Sequence, residues 1–394
     1  MSEPGLAIVG GHVIDPASGL DGPATVTVRD GRIEGVSPGP SVPDAERTLD
    51  AHGLVVVPGL IDLHTHLYRG VSHYGVDPDE RCLSRGVTTA VDAGSAGAQT
   101  FPGLRRYVIE AARARVLAYV NVSVLGMISA YAGELEDLRW VVPEDAAAGA
   151  RENADVVAGI KVRLGYQMAG PDPESALLRA RKAADLAELP LMVHVIDMLR
   201  PITWLLPWLE PGDVVTHCFH GNEGGVLDER GRVFPEVFAA RDRGVVFDLG
   251  HGIGSFAWRV ARIATEQGLW PATISSDIHA HNVDGPVFDQ PTTLSKLLHL
   301  GMPLAEIIRA TTAAPAAALR RADELGSLAP GREADITLLE VVPGEWRLTD
   351  GAEETVVASR LLLPRWVVRA GEMLACETAT AQLEARAAVE SAQR

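Results

Sequence analysis

The chain of 394 residues is short of three things, and each shortage excludes a class of protein. Cysteine occurs only as Cys82, Cys218 and Cys376, too far apart for a CxxC pair or a disulfide framework. That usage suits a reducing compartment, so a cytoplasmic protein is expected. No run of about 18 apolar residues occurs, so no membrane-spanning helix is expected. The opening MSEPGLAIVGG lacks a basic stretch followed by a long apolar one, so no secretory signal is expected. Positive charge is the third shortage: 35 Lys and Arg stand against 52 Asp and Glu, a formal net charge of −17. Such a balance opposes binding to nucleic-acid phosphates and to anionic membranes. Hydrophobic residues nevertheless reach 47%, which marks a globular chain with a sizeable core.

The order of segments carries more. Up to about residue 57 the chain reads as short strands, LAIVGGHVID and ATVTVRDGRIEGVSPG, with Asp30-Gly31 as a hairpin turn. A similar texture returns late, in ADITLLEVV and ETVVASRLLLPRWVVRAGEM. Between them, the run before His64 is followed by apolar runs at 89–93, 116–122, 156–164, 191–195, 214–219, 245–249 and 272–275. Helix-like stretches such as LRRYVIEAARARV, ESALLRARKAADLAEL, FPEVFAARDRG, SFAWRVARIATEQGL and PLAEIIRATTAAPAAALR connect or follow them. Eight apolar runs with helical connections predict a closed (β/α)8 TIM barrel, whose strands are covered on both faces. An open doubly wound sheet would more often place a glycine-rich phosphate loop after the first strand, where this chain has histidines. The expected division is a β-sandwich from 1–57 with 331–374, a barrel from 58–330, and a helical tail from 375–394.

In such a barrel, function sits where strands deliver side chains to the C-terminal rim. His64 and His66 end the first run in IDLHTH. Lys161 lies in AGIKVRL, His194 in LMVHV, His217 in VTHCFH, and Asp277 in ISSDIHAH after the eighth run. Each has an ordinary reading alone: a snorkelling lysine, a core histidine, a turn-capping aspartate. His220 is also an alternative to His217. Together they bring four imidazoles, a carboxylate and an amine to five strand ends. Nitrogen and oxygen donors suit divalent zinc or manganese. An ammonium at Lys161 would repel a cation, whereas a carbamate formed from its neutral amine and CO2 would be an anionic bridge between two metals. Two ions about 3.5–4 Å apart share a hydroxide that attacks an amide or ester carbon. Asp277 would orient that hydroxide and pass its proton to the leaving group.

The set PGLIDLHTH, GIKVR, His194, His217 and SSDIH resembles the amidohydrolase superfamily, in its binuclear subgroup with a carboxylated lysine, from about Val9 to Leu374. The resemblance implies a sandwich built from both chain ends, re-entered at GREADI, Gly331 to Ile336. It implies His64, His66 and Asp277 on the more buried metal, Lys161 as the carbamate bridge, and His194 and His217 on the second ion, with zinc expected at both. Dihydroorotases carry an arginine two residues beyond the second histidine; here Tyr68 stands there and Arg69 follows. The segments IKVR and SSDIHAHN are closer to the dihydroorotase-like amidohydrolase/deacetylase group. Membership there implies removal of an acetyl or similar acyl group from a small carboxylate-bearing N-acyl or O-acyl compound. Arg163 is then a candidate grip for the carboxylate, a barrel salt bridge being its alternative role. Tyr131 in SAYAG and His251 in DLGHG are candidate substrate contacts; Asn222, His279 and His281 lie near the site without being named ligands. The competing readings are a cyclic amidohydrolase, dihydroorotase-like or hydantoinase-like, and a non-catalytic barrel within an assembly. A deaminase would place a glutamate three residues after His194, where Asp197 stands. A small molecule is the expected partner, and a homo-oligomer the expected state.

Overall fold

The computed structural model describes residues 5–39 and 45–378. Most of the expected helical tail, from residue 379 on, lies outside the described residues.

Both chain ends enter one mixed sheet. Its strands are β1 (Leu6–Asp15), β2 (Leu20–Arg29), β3 (Arg32–Pro38), β4 (Arg47–Asp50) and β5 (Leu54–Pro58), joined late by three more. The late strands β13 (Ile336–Thr349), β14 (Thr355–Arg369) and β15 (Glu372–Ala375) extend the order to β15-β14-β13-β5-β1-β2-β3, with β4 beside β1. The β2–β3 hairpin turns at Asp30 and Gly31, both in the left-handed region, φ 49 and 73. Ile8, Val13, Val26, Ile33, Val56, Ile336 and Val368 pack into one cluster on this sheet, so neither chain end closes the core without the other. This is the small sandwich-like unit.

The middle supplies a parallel sheet: β6 (Leu60–Thr65), β7 (Val87–Gly97), β8 (Arg115–Asn121), β9 (Val157–Arg163), β10 (Leu191–His194), β11 (Val214–Thr216) and β12 (Val246–Asp248), paired in sequence order. The eighth run forms no regular strand. Instead Thr273 bridges Asp248 and Ile278 bridges Thr65, both in parallel, so residues 273–278 join the two edges of the curled sheet. The result is a TIM-barrel-like core. Ile61, Leu63, Val91, Leu117, Tyr119, Met192 and Val214 fill a cluster with Leu319 and Leu325. Helices Pro173–Ala187, Pro235–Asp242 and Trp258–Glu266 lie where their sequence patterns predict. The LRRYVIEAARARV stretch instead gives one α turn, Phe101–Leu104, and a π-helical turn, Arg105–Ile109, before β8 begins. Helix Gln290–His299 has no sequence signal because Gln290 through Leu298 are all buried, which leaves no polar face to set a period. No helix among the described residues is long and apolar enough to cross a membrane.

The β13–β14 hairpin is unusual in reach. Its base pairs in the small sheet through β5, while Leu348, Ala358, Leu361 and Leu362 belong to the main barrel core. The turn at Asp350–Glu354 therefore arrives beside the barrel mouth.

Candidate active site

His64 lies near the end of β6, and His66 follows it directly. In β9, Ile160 and Val162 pack into the main core, so Lys161 and Arg163 leave the opposite face of the strand. His194 closes β10, His217 follows β11, and Asp277 follows the eighth run. His217 and Asp277 hold left-handed backbones, φ 72 and 50, a conformation that costs non-glycine residues about 1–3 kcal/mol and concentrates at functional sites. Asp62 accepts from both Ser276 N and Ser276 Oγ, which pins the segment that delivers Asp277. A cavity of about 310 Å³ opens here, lined by His64, His66, His194, His217 and Asp277 among others.

The hydrogen bonds fix which imidazole edge faces inward. Thr216 Oγ1 donates to Asp248 Oδ2 at 2.8 Å, so it accepts from His64 Nδ1, also at 2.8 Å. His217 Nδ1 donates to the Gly250 carbonyl at 2.7 Å. Both rings thus carry their proton on Nδ1 and turn a bare Nε2 inward. His66 Nδ1 meets Ser95 Oγ at 3.0 Å. Burial pushes His66 and His217 down to about 3, and His64 and His194 well below the usual histidine range, so all four rings are neutral. Asp277 Oδ1 stands 3.4 Å from His64 Nε2 and 3.2 Å from His66 Nε2. It has no hydrogen-bond donor, and neither does His194 Nε2 or His217 Nε2, although all three atoms are buried. Buried acceptors without a donor are costly. Here two of the three residues converge with His64: His64, His217 and Asp277 present ligand atoms within 4.8 Å of one another. This donor set fits a divalent cation.

Lys161 is fully buried, with Nζ 3.3 Å from His64 Nε2 and 3.4 Å from Met192 Sδ. Burial, partly opposed by the charge of Asp277, pushes its amine down to about 7. Of the six residues expected to converge, His64, His66, His194, His217 and Asp277 line the cavity, while Lys161 lies behind them against His64.

Arg163 also lines the cavity, but Nε and Nη2 donate to the two Glu134 oxygens at 2.6 and 2.7 Å. The barrel salt bridge is present, and it occupies the fork that a substrate carboxylate would use. Burial alone would raise the Glu134 carboxyl, yet Arg163 holds it below its usual range. Removing one partner of a buried pair leaves the other charge uncompensated. Glu134→Ala is therefore expected to cost about 3–5 kcal/mol in denaturant unfolding of the full chain; a loss below about 1 kcal/mol would mean that water reaches Arg163.

The remaining expectations fare differently. Tyr131 is fully exposed and borders an adjoining cavity with Tyr74 and Arg163. His251 is fully buried outside the cavity lining, its Nδ1 on Gly252 O and its Nε2 on Lys296 Nζ, so it offers no hydrogen bond to a ligand. His220 is buried against a separate cavity, whereas the His217 ring lies 4.9 Å from His64 and 4.5 Å from His194, centre to centre. Asn222 and His279 line the main cavity; His281 does not. Tyr74, which no sequence pattern marks, stacks on His66 with ring centres 5.3 Å apart and lies 5.7 Å from the Arg163 guanidinium.

Buried, inward-facing imidazoles and a carboxylate at the mouth of a parallel barrel define a metal-dependent hydrolase. The amidohydrolase family profile matches residues 258–370. A deacetylase of Agrobacterium fabrum is 35% identical over 347 residues, spanning 88% of this chain and 85% of its own. The chain belongs to the amidohydrolase family. Among solved structures, one titled a dihydroorotase aligns at 32% identity and a TM-score of 0.86, covering 95% of this chain and 98% of its own. Another, titled an adenine deaminase, aligns at 32% and 0.87, covering 94% and 99%.

Proposed function

We propose that this protein removes an acetyl or similar acyl group from a small N-acyl or O-acyl compound bearing a carboxylate. The observation that carries the reading is the cluster of His64, His217 and Asp277, whose ligand atoms lie within 4.8 Å of one another beside a buried Lys161 amine. His64, His66 and Asp277 would hold one divalent ion, His194 and His217 a second, and Lys161, as a carbamate formed with CO2, would join them. Neither Lys161 neighbour, an imidazole nitrogen and a thioether, is anionic, so a negative bridge meets no repulsion from them. Zinc suits these ligands. When bound, the ions would polarise the scissile carbonyl and bring a shared water toward ionisation near neutral pH.

The chain's own groups do the rest. Thr216 and Gly250 hold His64 and His217 in the tautomer that presents Nε2. Asp277 would take a proton from the attacking water and pass it to the leaving nitrogen or oxygen. Arg163 remains charged at the cavity wall beside Tyr74, so a carboxylate would meet a single-edge contact there.

Ring opening of a cyclic amide is the second reading, and the likeness to a structure titled a dihydroorotase favours it. Against it, the Tyr68 hydroxyl donates to Thr100 O, and exposed Arg69 pairs with Asp77, so neither lines the cavity. A screen of the zinc- and bicarbonate-loaded protein on N-acetyl and O-acetyl acids of both hands, beside dihydroorotate, hydantoin and adenine, separates the readings. Acetate release from at least one acid is expected, with kcat/KM of about 10⁴ M⁻¹ s⁻¹ or more. Turnover of the ring compounds alone would replace this reading.

A further inference from the structure

We propose that the turn Asp350–Glu354, at the tip of the small sheet's hairpin, is a specificity-determining element that positions the Ile253–Ser255 wall of the active-site cavity, with Lys296 as the buried tether between them. The cavity is lined on this side by Ile253, Gly254, Ser255 and, from the hairpin, Gly351.

The contact is closer than any side chain allows. A Cβ on Gly351 would lie 2.7 Å from Gly254 Cα and 2.8 Å from Ile253 O. Gly351 is not left-handed, so the neighbouring wall, and not its own backbone, requires a glycine here. Its N–H donates to Phe256 O at 2.9 Å. Next to it, Asp350 is buried and divides its carboxylate. Oδ1 accepts from Ala352 N and Glu354 N, closing the turn, and Oδ2 accepts from Trp258 N at 2.8 Å. Helix Trp258–Glu266 receives no cap from its own N-cap side chain at Ala257. The hairpin thus caps the helix that leaves the wall, satisfying one of its orphan N–H groups.

Lys296 joins the two from beneath. Its Nζ lies 2.6 Å from Thr349 O on the hairpin, 2.9 Å from Pro286 O and 2.6 Å from His251 Nε2. Three donors meet three acceptors, which a buried ammonium needs. His251 in turn holds Gly252 O through Nδ1 and stacks on Phe256 with ring centres 4.8 Å apart. At the inner end of the wall, a Cβ on Gly252 would lie 2.5 Å from Asp277 Oδ2.

Only the substrate readout of this assignment rests on the deacetylase reading. The test compares wild type, Gly351→Ala and Lys296→Met, all as the full zinc-loaded chain, by hydrogen exchange and by kinetics. Both variants should speed amide exchange across residues 251–257 while leaving β1–β3 unchanged. For the acetyl acid that wild type cleaves fastest, Gly351→Ala should raise KM about fivefold to tenfold with kcat within about twofold, and shift the preference between acetyl and butyryl forms. Should Lys296→Met not fold, Gly351→Ala decides alone. Unchanged exchange at 251–257 overturns the tether, and a fall in kcat at constant KM overturns the specificity role. If wild type cleaves no acyl acid, the deacetylase reading fails, while exchange at 251–257 still decides the tether.

Discussion

Lys161→Ala should lower bound zinc and activity together, from two ions per chain to one or none, with kcat/KM down by about a thousandfold or more. The expectation follows from placement. The amine is sealed from solvent and lies 3.3 Å from the inward Nε2 of His64. No other described side chain is proposed to touch both ions. Lys161→Glu, which supplies a carboxylate without CO2, should keep part of the metal that alanine loses. A pH signature accompanies it. Burial pushes Lys161 down to about 7, so the amine is neutral and able to attack CO2 above that pH, and an unreactive ammonium below it. At fixed dissolved CO2, metal-free protein should therefore regain zinc and activity about tenfold faster near pH 8 than near pH 6. Metal analysis alongside turnover checks both statements. Full zinc occupancy with unchanged rate in the alanine variant would remove Lys161 from the site.

Asp277→Asn separates holding the metal from moving the proton. An amide oxygen can still donate to a cation, and His64 and His66 remain, so bound metal should fall by less than half. The amide cannot take up a proton, and kcat should drop by about 10²–10⁴-fold. Kinetics normalised to measured zinc give the comparison. A rate loss that merely tracks metal loss would reduce Asp277 to a ligand.

Much of this site was legible in the chain because barrel strands put function at their ends. His64, His66, Lys161, His194, His217 and Asp277 each interrupt or close an apolar run; the structure lines the cavity with five of them and buries Lys161 behind, against His64. What holds them was not legible. Thr216 and Ser95 are small hydroxyl residues inside apolar strands, with nothing local to show that they orient imidazoles. Glu134 lies 29 residues before Arg163 in an aperiodic loop, so the partner that forms the salt bridge, one of the two roles open to Arg163, carried no local signal. His251 ends an apolar run much as His217 does, yet Lys296, in a helix buried on every side, consumes its outer nitrogen. The eighth run reads as a strand by its apolar character, but it makes single bridges before the chain turns left-handed at Asp277. Asp350 meets Trp258 across 92 residues, a distance at which hairpin texture says nothing about partners.

Anomalous scattering at the zinc absorption edge, from crystals grown with zinc and bicarbonate, tests the central claim most directly. Two sites per chain are predicted, one against His64, His66 and Asp277 and one against His194 and His217, with density for CO2 on Lys161 Nζ between them. A single site beside an unmodified lysine would contradict it.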